Sequence, residues 1–154
     1  MRLAAPKILF AAAIGRLTED NMNQTQETLA QDVADAYIAF WNETDAQKRR
    51  ELFAQSWTND AAYLDPLMNG EGQEPIVALV EGVHAQFPGH RFSRVGKVEQ
   101  VGHCLRFSWH LAPEGQNALV GGTDFCIVSP DGRLQSVTGF LDFAPGLPAS
   151  GLPA

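Results

Sequence analysis

The sequence predicts an α+β fold in which three amphipathic helices cover one face of a strongly curved, mostly antiparallel sheet. Apolar residues recur at helical spacing in segments that lie before residue 90. After residue 90 they alternate at a period of two, which is typical of strands with one buried face. The predicted order is helix, helix, strand, helix and then a meander of strands. A curved sheet covered by helices encloses a pocket, and such pockets are the usual sites for small ligands.

The first two helices are predicted from their start signals and their apolar faces. Helix one starts near Asn23, which has Gln26 three residues later, and helix two starts with Thr44 and Gln47 as a capping box. The apolar face of helix one consists of Leu29, Val33, Ala36, Tyr37 and Phe40, widened by Trp41. Helix two turns Leu52, Phe53 and Ser56 inward. Its basic run, residues 48–50, is interpreted as part of a solvated face.

A short strand and a third helix flank a Gly-rich loop. The strand begins near Trp57, and Ala61, Tyr63 and Asp65 share one side of it. The loop leads to Pro75, predicted as the first residue of helix three because its missing N–H costs nothing there. The apolar stripe of this helix is Ile76, Leu79, Val80, Val83 and Phe87, and Pro88-Gly89 ends it.

The rest of the chain predicts the strands of the meander. Their ranges are 91–101, 104–111, 117–128 and 133–143, separated by turns that contain Gly or Pro. The clearest alternation places Leu105, Phe107, Trp109 and Leu111 on a buried face. Gly121-Gly122 indicates a bulge or a sharp bend.

Charge and cysteine content restrict the partners and the compartment. The formal charge of −7 argues against nucleic acid, because phosphate binding needs clustered Lys and Arg. Cys104 and Cys126 lie in apolar strands without metal-ligand spacing, so they are interpreted as buried thiols of a reducing, cytoplasmic protein. No membrane partner is expected.

The termini predict segments outside the fold. Residues 8–15 form an apolar run that loosely imitates a secretory signal and is too short to span a membrane. The favoured interpretation is that translation starts at Met22 and that residues 1–21 lie upstream of it. Residues 1–22 are accordingly predicted to be a disordered or mis-assigned N-terminal extension. Residues 23–144 then form one domain, and residues 145–154 a disordered Gly/Pro-rich tail.

Two carboxylates are candidates for chemistry. Asp65 ends a strand beside an aromatic residue and under a loop; alternatively it only initiates a turn before Pro66. Asp124 lies in the apolar strand 117–128, where a buried carboxyl without a partner stays protonated and can donate to an oxyanion. The alternative is an Asp124 that faces water or pairs with an Arg. Tyr37 is a further candidate donor, or simply a core aromatic.

Several strings resemble one large superfamily, which includes nuclear transport factor two, the SnoaL-type polyketide cyclases and ketosteroid isomerase. These strings are AYIAFWNETD at 36–45, YLDP at 63–66 and TDF at 123–125 followed by PDGRLQSV at 130–137. The resemblance implies a cone-shaped α+β barrel. It matches Tyr37 to an oxyanion-binding Tyr, Asp65 to a general base and Asp124 to a second, protonated Asp. It also implies a homodimer, because open sheets of this kind often pair face to face.

The favoured hypothesis is an isomerase or cyclase that removes a proton alpha to the carbonyl of a small apolar compound. It needs no metal and no cofactor, and the sequence has no GxGxxG after a strand, no P-loop and no Cys/His cluster. The residues expected to line the pocket are Phe40, Trp41, Tyr63, Phe107, Trp109 and Phe125.

Two alternatives remain open. The first is a non-catalytic ligand-binding or dimerisation module, in which Asp65 faces the rim and Asp124 pairs with Arg106 or Arg133. The second is a hydratase or epoxide-opening enzyme, with Arg94 or Arg106 pointing inward beside Asp124.

Overall fold

The protein consists of three helices and one six-stranded sheet in the part that the structure describes. The computed structural model describes residues 29–146. The helices are α1 (29–42), α2 (Ala46–Ser56) and α3 (Gln73–Gln86). The strands are β1 (Trp57–Leu64), β2 (Asn69–Glu71), β3 (His90–Val101), β4 (Cys104–Pro113), β5 (Val120–Val128) and β6 (Leu134–Phe143). The predicted α+β class is confirmed. The structure adds β2 inside the segment predicted as a loop.

The sheet is mixed, curved and open. Its strand order is β2-β1-β6-β5-β4-β3. Every neighbouring pair is antiparallel except β1 and β6, which run parallel with Tyr63 opposite Val137. The predicted cone-shaped α+β fold is confirmed, with a sheet that is curved rather than closed, since no strand among residues 29–146 joins β2 to β3.

The core lies between the helices and the inner face of the sheet. Phe53 and Trp57 stack with ring centroids 5.7 Å apart, which fixes the end of α2 against the start of β1. The predicted alternation along β4 is present, since Leu105 and Leu111 are buried and the residues between them alternate. The register of β5 against β6 shifts at Gly121-Gly122, where the sequence predicts a bulge or a sharp bend.

The start of α2 differs from the prediction. Its N-cap is Asp45, whose side chain accepts a hydrogen bond of 2.9 Å from the backbone N of Lys48. The capping position is thus one residue later than Thr44. The carboxylate of Asp45 accepts such a bond at least as readily as a Thr hydroxyl.

The basic run of α2 is not wholly solvated, because the side chain of Arg49 is buried. The residue is 2% exposed and its guanidinium donates to the backbone oxygen of Glu43 at 2.7 and 3.1 Å. It also contacts Glu81 on α3 at 3.2 Å. Arg49 lies four residues before Phe53, so the two side chains share one helix face and both point inward.

Helix α3 and helix α1 also depart from the predicted pattern. Helix α3 begins at Gln73 after Gly72, whose φ of 80° suits glycine, and Pro75 is its third residue rather than its first. On α1 the predicted apolar Leu29 is 57% exposed. The residues that this helix buries are Ala30, Ala34, Tyr37, Phe40 and Trp41.

Some predictions fall on residues 1–28 and 147–154, which lie outside the described residues. These predictions are the Met22 start, the Asn23–Gln26 helix start and most of the tail. Within residues 29–146, no helix is both long and apolar enough to cross a membrane. Both cysteines are free thiols, with Cys126 buried and Cys104 half-buried.

Candidate active site

A cavity of about 900 Å³ lies between α3 and the inner face of the sheet. Its wall is largely apolar and includes Ile38, Trp41, Leu79, Val83, Phe87, Phe92, Trp109 and Leu141. The polar side chains on its wall are Tyr37, Tyr63, Asp65 and Gln86. A cavity of this size with few polar groups is typical of sites for apolar small molecules.

Asp65 is held rigidly where β1 ends. Its Oδ1 accepts hydrogen bonds from the backbone N–H groups of Leu67 at 2.7 Å and Met68 at 2.9 Å. Its Oδ2 accepts a bond of 2.8 Å from the Tyr63 hydroxyl. Asp65 therefore does initiate a turn before Pro66, as one of the two interpretations predicted. The same half-buried carboxylate also lies on the cavity wall, so the turn does not remove it from the site.

Asp124 lies in the opposite kind of environment, in the middle of β5. It is 1% exposed, and its Oδ2 accepts a hydrogen bond of 2.5 Å from the Tyr37 hydroxyl. Its Oδ1 is buried without a hydrogen-bond partner among the described residues. Burial raises the pKa of Asp124 to about 6, although hydrogen bonding by the side chains of Tyr37 and Trp109 acts in the opposite direction.

The two tyrosines near these carboxyls keep their protons. Burial, followed by the charge of Asp124, raises the pKa of Tyr37 well above its ordinary value. The same two causes, together with the charge of Asp65, raise the pKa of Tyr63 well above its ordinary value. Both side chains are therefore hydrogen-bond donors at neutral pH.

Gly139 separates the two carboxyls on the inner face of the sheet. It lies on β6 directly opposite Asp124 of β5. A Cβ at this position would lie 2.8 Å from Asp124 Oδ1, 3.3 Å from Asp65 Cβ and 3.6 Å from the Tyr63 hydroxyl oxygen. Because Gly139 on β6 has no side chain, Asp124 from β5 can approach Tyr63 and Asp65 at the end of β1.

The structure brings most of the predicted site residues together. Tyr37 and Asp65 lie on the cavity wall, and so do the predicted pocket residues Trp41, Tyr63 and Trp109. Asp124 is not itself on the wall but is bonded to Tyr37, which is. It therefore lies immediately behind the cavity surface.

Three predicted pocket residues lie elsewhere. Phe40 and Phe107 are fully buried in the core, and Phe107 packs edge-on against the ring of Tyr37 at 5.3 Å. Phe125 is 40% exposed on the outer face of the sheet. Successive strand residues point to opposite faces, so an inward Asp124 requires an outward Phe125.

The arginine arrangements that the two alternatives require are absent from the described residues. Arg94 pairs with Asp35, Arg106 with Glu99 and Arg133 with Asp131. None of these arginines contacts Asp124. Groups of three or more His, Cys, Asp or Glu side chains suited to a metal ion do not occur between residues 29 and 146 either.

Two parts of the site were not predicted. The side chains of α3 that face the cavity, such as Leu79 and Val83, were predicted only as part of the apolar stripe of that helix and not as pocket residues. The bond between Tyr63 and Asp65 was also not foreseen. A signal for it exists in the sequence, since residues two apart on a strand share one face.

Comparisons with known proteins agree with this geometry. No family model and no curated protein matches the sequence. A solved SnoaL-like family protein from Agrobacterium tumefaciens str. C58, provisionally named an isomerase, is 41% identical with a TM-score of 0.72. The similarity covers 75% of this chain and 99% of that one.

Two more distant structures share the fold. A protein from Jannaschia sp. CCS1, provisionally named a SnoaL-like polyketide cyclase, is 17% identical with a TM-score of 0.60, over 75% of this chain and 87% of its own. A Catenulispora acidiphila DSM 44928 protein with a ketosteroid isomerase-like fold, in complex with trimethylamine, is 16% identical with a TM-score of 0.59, over 79% and 93%. The predicted resemblance is confirmed, and the chain belongs to the SnoaL-like family.

Proposed function

We propose that this protein binds a small apolar carbonyl compound in its cavity and catalyses cofactor-free proton abstraction alpha to the carbonyl, as an isomerase or a cyclase. One observation supports this above the others. Two carboxyls lie beside the same apolar cavity in different environments, Asp65 half-buried on its wall and Asp124 buried behind it with a pKa of about 6. Such divided environments allow one carboxyl to act as a base while the other acts as an acid.

Asp65 is assigned as the general base. A base must reach the C–H bond that it breaks, and Asp65 is the carboxylate on the cavity wall. Two backbone N–H groups and the Tyr63 hydroxyl fix its orientation. This preorganisation means that the carboxylate does not have to be ordered again when the substrate binds.

Tyr37 and Asp124 are assigned as the donors to the developing enolate oxygen. A carbonyl oxygen bound beside Tyr37 accepts a hydrogen bond from the Tyr37 hydroxyl, which then turns away from Asp124. Protonated Asp124 donates in turn to the Tyr37 oxygen at the 2.5 Å contact. Donors that wait in a water-poor site stabilise the negative charge more strongly than they would in water.

The names of related proteins support the reaction class. The 41% identical Agrobacterium protein carries a provisional isomerase name, and the Jannaschia protein carries a provisional cyclase name. Both reactions start from an enolate, so one arrangement of base and donors serves either. The apolar wall favours a substrate with few polar groups beyond its carbonyl.

The proposal is tested by proton exchange. Cyclic and polycyclic ketones are incubated with the protein in D₂O, and loss of the α-proton signal is followed by NMR. We expect the protein to accelerate exchange for apolar ketones, and Asp65→Asn to reduce the acceleration by about 100-fold or more. Asp60→Asn serves as a matched control, since Asp60 is an exposed carboxyl that does not line the cavity.

Two results would contradict the proposal, the first its claim of catalysis and the second its choice of base. If ketones shift the resonances of cavity residues without any α-proton exchange, the protein is the non-catalytic binding module. If exchange is equally fast in wild type and Asp65→Asn, the base is a different group.

We also propose that the protein is a homodimer that pairs through the outer face of its sheet. Phe125 and Ile127 on β5 and Phe140 on β6 expose apolar side chains there, with Phe140 59% exposed. Two of the charges beside them are paired, since Arg106 contacts Glu99 at 2.7 Å. Exposed apolar side chains that lie together in this way mark surfaces for association with another protein.

Analytical ultracentrifugation tests this dimer. We expect the wild type to sediment as a dimer and Phe140→Asp to sediment as a monomer. Leu29→Asp, on an exposed apolar residue of α1, is the control and should leave the dimer intact. A monomeric wild type would end the proposal.

A further inference from the structure

The indole of Trp109 lies on the inner face of the sheet, beside the Asp124 carboxyl. Trp109 of β4 is directly opposite Gly122 of β5, and Asp124 is the next inward residue of β5 after Gly122. A Cβ on Gly122 would lie 2.8 Å from Trp109 Cε2, the ring carbon that is bonded to Nε1. The side of the indole that carries its N–H therefore lies over β5, close to Asp124.

The same indole is part of the cavity wall. Trp109 lines the cavity and is 8% exposed. The ring of Phe92 on β3 packs edge-on against it, with centroids 5.2 Å apart. Any side chain in place of Gly122 would displace the ring. The packing of three strands thus holds the indole between the cavity and Asp124.

Two side chains act as hydrogen-bond donors on the Asp124 carboxyl. Burial raises the pKa of this carboxyl, and hydrogen bonding by Tyr37 and by Trp109 lowers it. The Tyr37 hydroxyl donates to Oδ2, whereas Oδ1 is buried and has no hydrogen bond of ordinary length and angle within residues 29–146. A buried acceptor without a donor is costly, and an indole N–H can only donate.

We propose that Trp109 is a positioning residue, whose indole N–H donates to Asp124 Oδ1 and thereby keeps the proton of the Asp124 carboxyl on Oδ2. Since Tyr37 is bonded to Oδ2, this proton faces the Tyr37 oxygen. Asp124 can then donate to Tyr37 while Tyr37 donates to the enolate. The inference rests on the proposed function in its assignment of Asp124 as the acid, but the bond itself is tested without any ketone.

The bond has this effect because the two oxygens of a protonated carboxyl differ. One carries the proton and donates, and the other remains an acceptor. A group that can only donate, placed at Oδ1, stabilises the form of Asp124 whose proton is on Oδ2. In the ionised form both oxygens accept, so the same N–H also lowers the pKa of Asp124.

The other titratable groups near Asp124 do not supply a donor to Oδ1. Asp65 at the end of β1 and Asp142 of β6 raise the pKa of Asp124 through their charges. The hydroxyl of Tyr63 donates its proton to Asp65. Cys126, two residues along β5, makes no hydrogen bond to Oδ1.

The first test follows the indole N–H signals of the isotope-labelled full chain by NMR as the pH is changed. The chain has three tryptophans, and the signal that is missing in Trp109→Phe belongs to Trp109. We expect this signal to shift with the same midpoint as the Asp124 carboxyl and to stop titrating in Asp124→Asn. Trp41 and Trp57 are internal controls whose signals should move much less, because their indole nitrogens are buried without a partner within residues 29–146.

The second test titrates the Asp124 carboxyl by carbon-detected NMR in two variants. Trp109→Phe keeps an aromatic ring but removes the N–H, so the ionised carboxyl loses a donor. The midpoint should rise by about half a pH unit to one unit. Trp41→Phe is the matched control, since it makes the same change elsewhere on the cavity wall and should leave the midpoint in place.

The positioning role is tested in the ketone exchange assay near neutral pH. A raised midpoint alone would leave more Asp124 protonated and would speed exchange. Loss of positioning has the opposite effect, because the proton is then shared between both oxygens of Asp124. We expect exchange in Trp109→Phe to be about tenfold slower than in wild type.

The outcomes separate this inference from the proposed function. A Trp109 signal that does not titrate with Asp124, or a midpoint that is unchanged or lower in Trp109→Phe, overturns the bond even if ketones exchange. An exchange rate that is unchanged or higher in Trp109→Phe overturns the positioning role. If the Trp109 signal titrates with Asp124 but wild type exchanges no ketone, the bond is present and the reaction class is wrong.

Discussion

The hydroxyl of Tyr37 and the carboxyl of Asp124 are joined by a 2.5 Å hydrogen bond across 87 positions of the sequence. The bond connects α1 to the middle of β5, on the side where the cavity lies. It puts a carboxyl of raised pKa directly behind a hydroxyl on the cavity wall. The Tyr37–Asp124 hydrogen bond is therefore both a part of the candidate site and a tertiary contact between α1 and β5.

Replacing Asp124 by Asn should change how stability depends on pH. The pKa of Asp124 in the folded state, about 6, lies above the ordinary value of 3.8, so the folded state binds the extra proton between these values. The proton on Asp124 stabilises the folded state fully below pH 3.8. This stabilisation is lost as the pH rises through about 6. The loss amounts to about 3 kcal/mol, which is of the order expected for a shift of this size.

Urea unfolding of wild type and Asp124→Asn measures this effect. Relative to the wild type, the free energy of unfolding of the variant should increase by about 3 kcal/mol between about pH 4 and about pH 7. A difference between the two proteins that does not change with pH would show that Asp124 is not buried in a site that disfavours its charge.

Tyr37→Phe should slow catalysis through loss of the donor to the enolate. Removal of one such donor typically costs about 10² to 10³ in kcat. Steady-state kinetics on the best ketone from the exchange assay should show the loss in kcat and little change in KM, since an apolar wall still binds the substrate. An unchanged kcat would remove Tyr37 from the donor role.

Arg49 should matter more for stability than its partner Glu81. Arg49→Ala leaves the part-buried backbone oxygen of Glu43 without its donor, which should cost about 1–3 kcal/mol. Glu81→Gln removes only a contact whose acidic side chain is 51% exposed, and should cost less than about 1 kcal/mol. Thermal unfolding of both variants checks the order, and equal effects would contradict it.

Gly82 offers a way to alter the cavity without touching its polar groups. It is a helical residue of α3 on the cavity wall, and a Cβ there would meet no atom within 4 Å. Gly82→Ala should stabilise the protein by about 0.5–1 kcal/mol, because Gly weakens helix interiors.

Gly82→Leu should weaken ketone binding at least about tenfold, because the larger side chain fills part of the cavity. The change is measured as an increase in Kd, and unchanged binding would place the ligand elsewhere.

The helices and strands that could be predicted are those whose apolar residues recur with a clear local period. The stripe of α3 and the alternation of β4 extend over 14 and 10 residues, which is long enough to be unambiguous. Strand β2 has 3 residues of polar and Gly character, and it forms only because Tyr63 and its neighbours provide a partner. The burial of Arg49 likewise depends on acceptors in other segments, which no local pattern reports.

The candidate site could be predicted less completely. Tyr37 and Asp124 were connected by the resemblance alone, since nothing local indicates a contact over 87 positions. Phe125 could have been assigned correctly, because the strand period that turns Asp124 inward turns its neighbour outward. The role of Gly139 depends on the register of β6 against β1 and β5, which no local sequence pattern predicts.

The most direct test of the central claim is the titration of Asp124 in the wild-type protein by carbon-detected NMR, with Asp124→Asn to assign its signal. A site with one acid and one base beside an apolar cavity predicts a midpoint of about 6 for this carboxyl. A midpoint near the ordinary 3.8 would contradict it, because almost every Asp124 would then already be ionised at pH 6, where the account expects about half to keep the proton that is donated to Tyr37.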